Sequence, residues 1–451
     1  MAVKPYGNLH PLGEPCSFLV LFLAAAPSAA EGPLSLLRFA FFFFFYLCFQ
    51  HTCITPYPLK AMFKWVQSGL SAVAGTAEPE YGPDAIQPVT KGLDPKDPWT
   101  PLTEEDLKWQ YPEHTHVETQ TFYFNSADTG YLGFAQVIHS NVVGLHTNAQ
   151  FTFKIFHKDT PEDFVWTSTG LENFRVEGPN FFADHLSIEL VDEKTYHLKS
   201  LVNPESIVDL TITRLTEGVK FGKDGTTYYG EDPEKPWGSM RHIFWPRCHV
   251  KGKILLENKS EDKSSESDEF IERPIEGISM YVMALQGMKP HHAAATWNFL
   301  NYVSPDNSVV IMEFTTPPSY ATTKVTVGIV SNNEKVVIAS INNETKYIDR
   351  VVDDVTGWSV PTSIEFDLSG YEGDSQLKAV IKGKLEKLSE RVDVMAEIPQ
   401  FVKNIVSGIA GTKPFIYQFN NPFTMTLTKE GEEIVSEEGN GYNEATFITE
   451  I

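Results

Sequence analysis

The sequence predicts a mainly β protein made of two successive sheet-rich units of similar size. Three observations carry that prediction. From about Val117 onward, apolar and polar residues alternate with a period of two, as in Phe151, Phe153 and Ile155 set against Thr152 and Lys154. The alternation recurs in Leu186, Ile188 and Leu190, and in Val208, Leu210 and Ile212, with Asn, Asp, Gly and Pro clusters between the runs. It resumes after residue 270, at 325–330, at 336–341 and at Ile364, Phe366 and Leu368. Many short strands at regular spacing read as sandwiches or barrels.

Taken in order, residues 1–61 stand apart. Two apolar runs, at 17–30 and 34–49, are each too short for a membrane span, which needs about 18 uninterrupted apolar residues. The first imitates a signal peptide but has only Lys4 ahead of it. The five consecutive phenylalanines are what translated pyrimidine-rich non-coding sequence looks like, so Met62 is the expected start. Residues 62–76 form an amphipathic helix candidate. Met62, Phe63, Trp65, Val66, Leu70 and Val73 fall on one side, and Lys64, Gln67, Ser68 and Ser71 on the other. Its polar side is nearly uncharged, so it suits either the cover of a core or a membrane interface read through lipid packing.

Residues 77–112, rich in Pro, Gly and acids, are expected to be an extended linker or wrapping segment. The first strand-rich unit is expected over 113–260. The acidic low-complexity stretch 257–270 reads as a mobile loop or domain linker, and the second unit follows over 270–451. Within it, residues 401–411 are a short helix candidate with Phe401, Ile405 and Ile409 four apart and Gly411 as a C-cap. A closing pair of strands is expected at 415–419 and 425–428.

The formal net charge of -23 argues against nucleic acid as a partner and against electrostatic attraction to anionic lipid. Any membrane contact should therefore be hydrophobic. Three of the four cysteines precede Met62, leaving Cys248 alone in the body, which fits a reducing compartment and an ordinary unpaired thiol. Sequons occur at Asn258 and Asn343.

The sequence carries no phosphate-cradling glycine loop, zinc-spaced cysteine set or nucleophile elbow. His139, His146, His242, His249, His291 and His292 lack the spacing of a helical zinc motif, so no metal and no cofactor is expected. Two segments stand out instead. Residues 228–252 gather Trp237, Trp245, Phe244, Arg241 and Arg247 in a turn-rich region that either closes a barrel end or lines a mouth. Residues 277–302 are rich in Met and aromatics, suited to core packing or to an irregular apolar ligand. Candidate residues for contact with such an apolar ligand, a lipid in the reading reached below, are Phe134, Phe151, Phe153, Trp237, Trp245, Met283, Met288 and Trp297. A closed sheet with such inward faces either fills with side chains or encloses one apolar ligand.

The strings MFKWVQSGLSAVAGTAEPEYGP, GFAQVIHSNVVGLHTNAQFTFKIF, LENFRVEGPNFFADHLSIEL, PWGSMRHIFWPR and ALQGMKPHHAAATWNF closely resemble the fungal survival factor 1 family. The likeness runs from Met62 to Ile451, and members begin near Met62. It implies two tandem lipocalin-like β-barrel domains with a leading amphipathic helix. It implies non-enzymatic binding of ceramide or a related sphingolipid, and transfer from endoplasmic reticulum to Golgi that limits toxic sphingolipid build-up. It further implies survival of oxidative stress and a cytoplasmic protein, peripheral on those two membranes, with the nucleus as a second location. The leading helix would be the membrane contact, N-acetylated if Met62 is the processed start. Two other readings stay open. One is a hydratase, as in distant lipocalin-like relatives, with Asp184 or Glu177 beside a histidine as acid. The other is a stress-interaction protein whose barrels are simply filled.

Overall fold

The computed structural model describes residues 81–142, 146–258, 269–288, 290–397 and 414–451. The helix candidates at 62–76 and 401–411 lie outside the described residues, as do Met62, Phe63, Trp65, Val66, Leu70 and Val73. Among the described residues no helix is long and apolar enough to cross a membrane.

The described chain forms two antiparallel sheets of 15 and 10 strands, each curled around its own apolar interior. Along the first sheet the order is Thr160–Gly170, His146–His157, Tyr131–Val142, His116–Asn125, Phe270–Gln286, Gly238–Glu257, Ser206–Arg214, Thr195–Asn203, Leu186–Asp192, Asn180–Ala183 and Arg175–Glu177. The second runs Val336–Ser340, Lys324–Asn332, Asn307–Thr315, Thr296–Val303, Glu432–Phe447, Phe415–Lys429, Ser375–Lys384, Ser359–Glu372 and Glu344–Val352. The two orders are the same topology used twice. Four strands meander, and the last long hairpin of each unit inserts beside the first strand. These are two tandem lipocalin-like barrels.

Alternation places Phe122, Phe124, Phe151, Phe153 and Ile155 inside the first barrel and Leu300, Ile311, Phe366, Leu368 and Met425 inside the second. Closure comes late in each sheet. In the first, Thr167 Oγ1 lies 2.7 Å from Ser206 Oγ and Asn203 Nδ2 donates to Thr169 Oγ1 at 3.0 Å. In the second, Gly370 passes so close to Ile338 that a Cβ would stand 2.8 Å from its Cγ2, so only glycine fits.

The unit boundary differs from the one expected. Phe270–Gln286 pairs with Gly238–Glu257 and with His116–Asn125, so it belongs to the first barrel. The Asn258 N–H donates to Glu269 O at 2.9 Å, closing the ladder on either side of the acidic stretch. That stretch is therefore an insertion at a hairpin tip. In the second barrel the same hairpin turns through Glu430 and Gly431 alone, both with positive φ, 51° and 87°. Low complexity marks a linker and a long hairpin tip alike, because neither packs. The second barrel begins at Thr296.

The closing strands also differ. The expected pieces at 415–419 and 425–428 are one continuous strand, Phe415–Lys429, and its partner is Glu432–Phe447. Asn421 and Pro422 suggested a turn, but Pro422 is exposed and the ladder continues past it.

The wrapping segment adds short strands to the first sheet, Ile86–Gln87 against Thr226–Tyr229 and Trp99–Pro101 against Val219–Phe221. The barrels then pack through their outer faces. Leu132, Phe134, Phe156 and Met280 of the first meet Phe299, Val310, Met312, Ile329 and Tyr442 of the second. This is why Asn307–Thr315 is buried at every position but its last. One face lines a barrel and the other lines the seam.

Candidate functional site

The eight residues expected to contact lipid fall in three environments. Phe151, Phe153, Trp245 and Met283 fill the interior of the first barrel. There Trp245, Tyr196, Tyr281 and Phe122 make an aromatic cluster with ring centroids 4.9–5.3 Å apart. Phe134 lies in the seam, and Trp297 packs there on His242 and Phe314, each with centroids 5.4 Å away. Trp237 and Met288 line a cavity of useful size.

That cavity is an open crevice of about 290 Å³ lined by Tyr81, His114, Thr115, Trp237, Gly287, Met288, His292 and Tyr320. Two hollows in the seam, beside Tyr123 and Phe156 and beside Phe244 and Met312, are about 10 Å³ each, too tight for anything but a water. Each wall is fixed by backbone. The Tyr81 N–H donates to Ser319 O at 2.8 Å, which pins the wrapping segment to the short turn Pro318–Tyr320. Tyr81 then stacks on Tyr320 at 5.2 Å and tilts against Trp237 at 4.8 Å. Trp237 N–H donates to Tyr229 O at 2.8 Å, and its indole Nε1 donates to Tyr320 OH at 3.2 Å. The indole remains 46% exposed, so a large aromatic face is presented to solvent. Met288 forms the floor, its backbone oxygen accepting from Gln286 Nε2 at 3.2 Å. Gly287 keeps the floor low: a Cβ there would stand 3.2 Å from His114 Nε2.

The lining is aromatic and thioether, with hydroxyl, indole and imidazole groups at its edge. None of the lining residues is Asp, Glu, Lys or Arg. Such a surface matches an apolar ligand with a neutral hydroxyl or amide head. Its volume is at the lower limit for pockets that take small organic ligands.

The sequence profile of the Svf1 family matches residues 63–449. The chain belongs to the Svf1 family. Full-length relatives in it include the ceramide-binding protein SVF1 of Candida albicans, 55% identical over 86% of this chain and 100% of that one. The ceramide-binding protein SVF1 of Debaryomyces hansenii is 56% identical with the same coverage, and the ceramide-binding protein svf1 of Emericella nidulans is 44% identical over 85% of this chain and 100% of that one. Among solved structures, a putative AttH from Nitrosomonas europaea is 12% identical, with a TM-score of 0.49 over 80% of this chain and 99% of that one. Kievitone hydratase from Nectria haematococca is 12% identical, with a TM-score of 0.48 over 82% and 99%.

In this Svf1-family chain the acids weighed for a hydratase, Asp184 and Glu177, lie outside the crevice lining. Asp184 and Glu177 are exposed. Asp184 Oδ2 accepts from Asn173 Nδ2 at 2.7 Å, and Glu177 pairs with Arg175 at 2.7 Å. Cys248 is fully buried and burial pushes its thiol well up, which removes it as a nucleophile. Asn343 is buried and donates Nδ2 to Thr326 Oγ1 and Ser340 O, so its sequon is sealed in the fold.

Several polar residues bind the barrels together. Lys154 Nζ, fully buried, crosses the seam to Glu390 Oε2 at 2.6 Å and Gln418 Oε1 at 2.8 Å, with the Phe164 ring 4.1 Å beneath it. Glu444 joins the group by accepting from Gln418 Nε2 and Tyr442 OH at 2.8 and 2.9 Å. Burial pulls the Lys154 ammonium down and pushes the Glu444 carboxyl up. Arg247 Nε donates to Asn333 Oδ1 at 2.7 Å and its Nη2 to Pro305 O at 2.6 Å, so this guanidinium also joins the barrels. His242, buried in the seam beside Arg241, is pushed down to about 3.

Sequence reasoning missed Tyr81, Tyr320 and His114. Their signal is weak, because each sits in a turn or extended segment with no period. It also missed a buried group in the first barrel. Among the described residues, His116, Glu118 and His139 bring possible ligand atoms within 4.8 Å of one another.

Proposed function

We propose that this chain binds ceramide in the Tyr81–Trp237–Tyr320 crevice and carries it, without vesicles and without chemical change, from endoplasmic reticulum to Golgi membranes. The observation that carries the reading is its 55% identity, over their whole length, to proteins named for ceramide binding. The crevice supports it with an aromatic and Met-lined surface, a neutral polar edge and no fixed charge in its lining. A ceramide has two long chains and a small uncharged head. Each exposed CH₂ costs about 0.8 kcal/mol in water, so a carrier must cover the chains in transit. A crevice of about 290 Å³ covers the head and the first part of the chains, and the remainder needs further apolar cover.

Transfer also needs reversible contact with two membranes. The helix expected at 62–76 supplies it in this reading, through Phe63, Trp65, Val66, Leu70 and Val73. A short helix without a covalent lipid gives weak, reversible association. The protein then works in the cytoplasm, peripheral on both membranes, and supports survival of oxidative stress by keeping sphingolipid precursors low. Lipid extraction and mass spectrometry of the purified full chain tests the binding step. Co-purified ceramide is the expected result; a chemically altered lipid favours a hydratase, and an empty protein that also fails to take ceramide from vesicles sinks the reading.

A further inference from the structure

We propose that His116, Glu118 and His139 form a binding site for a divalent metal ion of the zinc class at the polar end of the first barrel. His116 and Glu118 are two apart on one strand, so both face the interior. His139 stands directly opposite Glu118 across the antiparallel ladder. The three residues are buried, at 1%, 0% and 0% exposure, and their possible ligand atoms lie within 4.8 Å of one another. His116 Nε2 is 3.0 Å from His139 Nδ1.

The surroundings fix two of the three groups for ligation. His116 Nδ1 donates to His114 O at 2.9 Å, which leaves a lone pair on Nε2 aimed at the other two. A backbone carbonyl on the far nitrogen is the usual outer partner of a metal-bound histidine. Glu118 Oε1 and Oε2 each accept one backbone N–H, from Gln110 at 2.7 Å and Tyr111 at 2.9 Å. That holds the carboxylate plane while each oxygen keeps a second lone pair. His139 Nδ1 carries the proton that it donates to His116 Nε2, and its Nε2 is buried without a partner, so the proton can move to Nε2 and leave a lone pair on Nδ1 for an ion.

Charge points the same way. Among the described residues no Lys or Arg forms an ion pair with Glu118; Arg241 eases its charge from farther off while donating to Asp224 O and Asp106 O, and an enclosed carboxylate gains from a closer cation. Two imidazoles and one carboxylate are a set that Zn²⁺ takes with a fourth position left open. Tyr111 stacks on His139 with centroids 4.3 Å apart and is itself 46% exposed. In the absence of metal the two imidazoles share a single N–H···N hydrogen bond, and binding an ion turns both lone pairs to it.

The test uses the untagged full chain, stripped with a chelator, dialysed, and loaded with Zn²⁺ or with Co²⁺ as a spectroscopic stand-in. One ion per chain should survive gel filtration, and the Co²⁺ form should show the strong visible bands of a four-coordinate site. Glu118→Gln should weaken Zn²⁺ binding by at least about tenfold, and His139→Asn should abolish it, with circular dichroism confirming the fold. Metal lost on gel filtration, an aquo-like Co²⁺ spectrum in the wild type, or unchanged affinity in Glu118→Gln would each overturn the assignment. The wild-type spectrum and the Glu118→Gln affinity decide the matter even where the histidine variant fails to fold.

Discussion

Replacing Lys154 with Ala should destabilise the packed pair of barrels by about 3 kcal/mol. The ammonium is fully buried in the seam, 2.6 Å from Glu390 and 2.8 Å from Gln418. Breaking a buried pair by removing one partner costs roughly 3–5 kcal/mol, because the other charge is stranded. The low end applies here, since the Glu390 side chain keeps 26% exposure and regains some water. Unfolding entropy of about 2.1 cal/mol/K per residue, over the roughly 370 residues from Glu78 to Ile451, converts that loss to a melting shift of about 4 °C. Differential scanning calorimetry of the full chain reads it. A companion variant, Lys154→Met with Glu390→Gln and Glu444→Gln, removes the whole charged group and should melt within about 2 °C of wild type. A Lys154→Ala protein that melts within 1 °C of wild type would refute the view that this group is an uncompensated liability when broken.

Other expectations follow from the same structure. His242 is neutral when folded, pushed down to about 3 by burial, while the unfolded chain takes up a proton below about pH 6.5. Stability should therefore fall as pH drops from 6.5 toward 3, by up to about 1.4 kcal/mol per pH unit from this group. His242→Phe should make the acid limb of a urea-midpoint profile shallower, and an unchanged slope would contradict the assignment. Replacing residues 259–268 with a two-residue Asn-Gly turn should change stability by only about 1 kcal/mol, in the favourable direction, since it shortens a hairpin tip. Separation of the barrels in limited proteolysis would instead show that the acidic stretch links them. Phe63→Asp with Val66→Asp should release the protein from membranes with its fold intact; unchanged membrane fractionation would end the role proposed for the helix.

Much of the fold was legible because its elements obey simple periods. Phe151, Phe153 and Ile155 alternate with polar residues, and they line a barrel as that pattern demands. Legibility failed where two faces of one strand are buried. In Asn307–Thr315 the run SVVIMEF carries no alternation, and nothing local tells a barrel face from a seam face. It failed again at the acidic stretch, whose composition suits a linker and a hairpin tip equally. The candidate site was half legible. Trp237 and Met288 stand out by residue type, but Tyr81 and Tyr320 come together from positions far apart in the chain through one backbone bond, Tyr81 N–H to Ser319 O. His116 and Glu118 share a strand face by spacing alone, yet His139 joins them only through the register of the neighbouring strand.

The account turns on ceramide lying in the crevice at the seam while the barrels stay filled. A photoactivatable ceramide, crosslinked to the full chain and mapped by peptide mass spectrometry, addresses this directly. Adducts should fall on Trp237, Met288 and Tyr320, and should be lost in a Trp237→Ala, Tyr320→Ala double variant that remains folded. Adducts on Phe151, Phe153 or Met283 would place the lipid inside the first barrel, and that result would contradict the account.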